Sequence, residues 1–79
     1  MDPIPTSDQM TRIVRLTWEL AELCGMTNVD VMVALLNTRT LRGLGYRGNG
    51  RIETEQQAQA CIALLENWIR KRHGELEIG

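Results

Sequence analysis

From Ser7 to Cys24 the polar side chains Asp8, Arg12, Arg15, Glu19 and Glu22 share one narrow face when residues are set at ~100° intervals. The opposite face holds Met10, Ile13, Leu16, Thr17, Leu20, Ala21 and Cys24, and Val14, Trp18 and Leu23 widen it. This pattern predicts a first helix over about 7–24. Its apolar arc spans roughly 200°, about twice the stripe a surface helix needs. Such a helix must be covered from two directions. Thr6-Ser7-Asp8-Gln9 reads as a capping box at its start, and Gly25 as its stop. Asp8/Arg12 and Arg15/Glu19 are spaced to pair along the helix.

Thr27-Asn28-Val29-Asp30 caps a second predicted helix over about 28–37. Val31 to Leu36 is apolar all round, which predicts a central buried element. Its β-branched residues leave a strand open, but no partner strand of similar weight exists. Thr38 to Arg42 offers one further helical turn. In the last third, Ala58, Cys61, Ile62, Leu64, Leu65, Trp68 and Ile69 repeat at helical spacing. Thr54-Glu55-Gln56-Gln57 is a second capping box, and Gly74 a natural stop, so the last helix is expected over about 55–73. Arg70, Lys71, Arg72 and His73 would then sit at the negative end of its dipole. Beyond Gly74 the segment to Gly79 is expected to be loose unless Leu76 and Ile78 dock.

These elements define one all-α domain over residues 1–79: three main helices, a helical corner at Gly25, and a Gly/Arg-rich loop or short hairpin before the last helix. The hairpin alternative rests on Asn49-Gly50, a pair that favours tight primed turns. At 79 residues the core is small, and a second copy is one common remedy. Val14, Trp18 and Leu23 are the expected self-association residues, because the two other helices cannot cover the whole first helix. Tryptophan is enriched among interface anchors, and Trp68 adds to the surplus apolar surface.

Charge changes the picture in one place. The chain carries a net −1, which argues against a protein that coats nucleic acid. Residues 39–51, however, sum to +4 without an acid and hold four of the seven glycines. A mobile cationic connection between helices is where an anionic partner would be met. Arg39, Arg42, Tyr46, Arg47 and Arg51 are the candidate partner-binding residues, with Tyr46 as a stacking surface if the partner is nucleic acid. The bland reading is a solvated loop whose arginines pair with Glu53, Glu55 or acids of the first helix. The segment is no phosphate-cradling P-loop, since no Gly-Lys-Ser/Thr follows.

The corner also matches helix-turn-helix spacing through Ala21, Gly25, Met26, Val31 and Ala34. The residues it would send to a groove are Thr27, Asn28, Val29, Met32, Val33 and Leu36. Base edges are read by Arg, Lys, Asn and Gln, and this set is mostly aliphatic.

Catalysis finds little support. The single histidine, His73, lies in a basic run, and Cys24 and Cys61 have no base beside them in sequence. No spacing resembles a zinc site, so no metal and no cofactor is expected. Both cysteines fall in apolar stripes and read as reduced, buried side chains. No run approaches the ~18 apolar residues of a membrane span, and residues 1–5 lack the basic and apolar regions of a signal peptide.

The expected protein is cytoplasmic and non-enzymatic, a small regulatory or inhibitory homo-oligomer that binds a larger protein. One version is a bacterial or phage modulator of a nucleic-acid-handling complex. A DNA-binding helix-turn-helix regulator ranks second.

Overall fold

The computed structural model describes the backbone of residues 3–78 and the side chains of residues 3–76. Four helices follow in order: α1 (Ser7–Cys24), α2 (Asn28–Leu36), α3 (Arg39–Gly43) and α4 (Glu55–Ile78). No strand occurs among the described residues. The fold is all-α, as the periodicity predicts, and residues 47–53 form no strand.

Each start follows from a side-chain oxygen offered to a free amide. Thr6 Oγ1 accepts from the Gln9 N–H at 3.1 Å, and Gln9 Oε1 accepts from the Thr6 N–H at 2.8 Å. This closes the capping box expected there. Thr27 and Thr38 cap α2 and α3 in the same way. Gly25 ends α1 in the left-handed conformation, φ 67°. There both its own N–H and that of Met26 bond to the Ala21 carbonyl. Glycine reaches that conformation without a Cβ clash.

α1 and α4 form the central pair, α2 lies mainly against α1, and α3 packs on α4. The core joins Ile13, Leu20 and Ala21 of α1 to Val31, Leu35 and Leu41, and to Ala58, Cys61, Ile62, Leu65 and Ile69 of α4. Thr17 is buried with them and satisfies its hydroxyl by donating to the Val14 carbonyl at 2.7 Å. Cys61 is fully buried, and burial pushes its thiol up to about 11. It therefore stays protonated and serves as a small hydrophobe.

The expected elements need four corrections. First, α2 is not central. Only Val31 and Leu35 are buried, while Val29, Val33 and Ala34 face solvent. A helix of nine residues is ~13 Å long, too short to be enclosed by the one long pair beside it. Second, the further turn offered over Thr38 to Arg42 does form, as α3, so Arg39 and Arg42 stand on a helix and the loop begins after Gly43 and not at residue 39. Third, α4 runs on past Gly74 to Ile78, so Arg70 to His73 lie inside the helix. Gly74 carries no positive φ, and Arg72 pairs with Glu75 across it at 3.3 Å. Of the tail expected to be loose, Leu76 is helical and exposed, and the side chain of Ile78 lies outside the described residues. Fourth, Arg12 pairs with Glu66 of α4 at 2.8 Å and not with Asp8, and Arg15 and Glu19 form no ion pair.

A glycine in mid-helix costs roughly 0.5–1 kcal/mol relative to alanine. At Gly74 an added Cβ meets nothing within 4 Å. Gly74→Ala should therefore raise stability by about that amount, read as a higher urea midpoint at unchanged slope. A lower midpoint would mean that the helix ends at Gly74 in solution.

Candidate functional site

The arginine segment is held far more firmly than its glycine content suggests. Leu41 of α3 is fully buried and anchors its start. After α3 the Tyr46 N–H bonds back to the Leu41 carbonyl at 3.0 Å. The Tyr46 ring packs against the core cluster, and its hydroxyl oxygen accepts from the Gly50 N–H at 2.9 Å. Asn49 Oδ1 accepts from the Arg51 N–H at 3.0 Å. Gly48 and Gly50 sit at φ 78° and 76°, which lets the chain fold back over the tyrosine. Tyr46 is thus a half-buried pillar of the loop.

Gln57 closes the frame from the other side. It is 2% exposed. Its Nε2 donates to the Leu44 carbonyl at 3.1 Å, and its Oε1 accepts from the Glu53 N–H at 2.8 Å. Its own N–H donates to Thr54 Oγ1 at 3.1 Å. The second capping box is therefore half formed, because the Gln57 side chain passes the cap amide and ties both ends of the loop to α4. Sequence spacing pointed to Gln57 as a cap residue but gave no sign of Leu44 as its partner.

The four arginines are exposed on this frame. Arg47 Nε lies 3.6 Å from Glu53 Oε1, with its side chain 77% exposed. Such a pair is worth ~1 kcal/mol or less. Arg39, Arg42 and Arg51 have no ion-pair partner among the described residues. Of the acids the bland reading offered, only Glu53 is engaged.

The N-terminal segment completes the surface. The Pro3 carbonyl accepts from the Glu55 N–H at 2.8 Å, which straps residues 3–5 across the start of α4. Ile4, Pro5 and Met10 then share one recess with Arg51, Ile52 and Glu53. Ile4 is 76% exposed. An unpaired cation beside exposed aliphatic surface is the composition of an interface edge.

Further exposed apolar side chains run from Met10 along α1. Met10, Val14 and Trp18 form one ridge along α1, with Val14 and Trp18 52% and 54% exposed. Leu23, grouped with them on the sequence, instead turns to the core and is half-buried. Trp68 likewise packs on the core cluster. A separate groove of ≈ 360 Å³ runs between α1, α2 and the second half of α4, floored by Leu20, Val31 and Trp68 and rimmed by Lys71 and Arg72. Arg72 also donates from Nε to the Leu23 carbonyl at 3.3 Å, so it belongs partly to the fold.

Among the described residues no group of three or more His, Cys, Asp or Glu side chains converges as a metal site would. Cys24 and Cys61 are free thiols. No helix among the described residues is long and apolar enough to cross a membrane. Comparison with known protein families, characterised proteins and solved structures returns no significant match.

Proposed function

We propose that the protein is a small non-enzymatic regulator that acts by binding a larger protein through its arginine-bearing end. One observation carries this reading. Arg39, Arg42 and Arg51 are exposed without ion-pair partners on a frame fixed by Tyr46 and Gln57. Arg51 also borders the recess of Ile4 and Met10. A solvated loop needs no such bracing. Binding gains from it, because a backbone segment already held in place loses less entropy on contact. The complementary partner surface is acidic with an apolar centre. An inhibitor of a nucleic-acid-handling complex fits this description, since a patch that mimics the charge of nucleic acid would be acidic. Two free thiols accord with a reducing compartment such as the cytoplasm.

DNA binding through the corner stays second. Gly25 does make the turn. The outward residues of α2, however, are Val29, Asp30, Val33 and Ala34, with no base-reading cation among them.

The test is the double change Arg42→Ala/Arg51→Ala. Its melting temperature should stay within a few degrees of the parent, because neither side chain has an ion-pair partner to lose. Capture of the partner that the parent retains from host extract should weaken. The loss should appear mainly in association rate and fade as salt rises. Unchanged capture at low salt would refute the assignment. Tight binding of a DNA duplex that weakens steeply with salt would favour the second reading.

A further inference from the structure

The α1 ridge offers a second surface, adjoining the first at Met10, whose charge pattern points to what covers it. Met10, Val14 and Trp18 recur every four residues, and the next position on the ridge is Glu22. On the solvent side the ridge is bordered by Thr11, Arg15 and Glu19, all exposed. Beside the ridge, Arg15 lies on the N-terminal side of Trp18 and Glu19 and Glu22 on its C-terminal side, with Asp8 two turns before Arg15 at the start of the helix. None of Arg15, Glu19 and Glu22 forms an ion pair among the described residues.

We propose that this face binds a second copy of the same chain, with the two α1 helices antiparallel and the two Trp18 rings meeting near the two-fold axis. Antiparallel pairing about Trp18 sets Glu22 of each copy opposite Val14 of the other and leaves Arg15 one residue away, about 1.5 Å along the axis and within reach of that carboxylate. It also opposes the two helix dipoles. Parallel pairing would carry the two Arg15 side chains to opposite flanks of the seam, away from Glu22 of the other copy, and would align the helix dipoles. A two-fold contact uses the same patch twice, so each favourable pair occurs twice. The buried centre is then Trp18 and Val14, an aromatic anchor ringed by charge, the usual build of a protein interface. The ridge shares only Met10 with the Arg51 recess, and Arg15, Trp18 and Glu22 lie outside that recess, so either proposal can fail without the other.

Sedimentation equilibrium at micromolar concentration tests it, with helix content followed by circular dichroism. The parent should be a dimer of the 9.0 kDa chain. Arg15→Glu alone and Glu22→Arg alone each convert both cross-pairs to like charges, and each should raise the dimer dissociation constant roughly tenfold. The combination Arg15→Glu/Glu22→Arg restores opposite signs and should return the constant to near the parent value. Trp18→Ala should leave a folded monomer. A monomeric parent across the concentration range would overturn the proposal. So would single reversals without effect, or a double reversal that fails to rescue.

Discussion

Leu65→Ala should lower the unfolding free energy by about 2–5 kcal/mol, the range for truncating a buried leucine. Leu65 is 0% exposed and lies midway along the buried row Ala58, Cys61, Ile62, Leu65 and Ile69 of α4. α4 faces α1 along this row, so the cavity would open between the two longest helices. A chain of 79 residues holds only a few kcal/mol in total. The change therefore removes much of the stability, and at 37 °C a large unfolded fraction is expected. Gln59→Ala, on the exposed side of the same helix, is the control and should shift the urea midpoint little. Equal midpoints for the two variants would show that α4 is turned the other way.

The parts of this molecule that sequence spacing reveals are those decided within one or two helical turns. Thr6 and Gln9 lie three residues apart and need nothing distant to cap α1. The buried row of α4 follows from period alone. Val14 and Trp18 were legible as surplus because a chain this short has too few side chains to cover a 200° arc, and both are exposed. Where distant partners decide, spacing misled. Arg12 reaches Glu66, 54 residues on, in place of the near Asp8. Leu23 counted as surplus, yet it packs on the core cluster, and its carbonyl accepts from Arg72 of α4. Gly74 carries a local stop signal, but the helix passes through it, with Arg72 and Glu75 paired on either side. Val31 to Leu36 of α2 is apolar on every side, a composition that does not distinguish burial by neighbours from exposure to a partner.

The arginine segment illustrates the same limit. Four glycines among thirteen residues suggest mobility. The order comes from Tyr46, Asn49 and Gln57, ordinary residues whose roles depend on where the chain folds back.

Gln57→Leu should therefore be the change that separates the frame from the core. Leucine keeps the buried volume close to that of glutamine but can neither donate nor accept. The Glu53 N–H and the Leu44 carbonyl would each lose their bond to the Gln57 side chain. An unsatisfied buried group costs ~1–3 kcal/mol. Because the segment lies at the surface, the loop has a cheaper response: it can release from α4 and let water satisfy both groups. The expected result is a global destabilisation smaller than that of Leu65→Ala, together with much faster hydrogen exchange at Gly50, Arg51 and Glu53. α1 and the middle of α4 should keep their protection, because their contacts are untouched. Partner capture should fall as well, although every arginine is still present. That last result distinguishes a held cationic surface from a merely charged one. If Gln57→Leu loosens the loop and capture is unchanged, charge alone suffices and the bracing by Tyr46 and Gln57 serves only the fold.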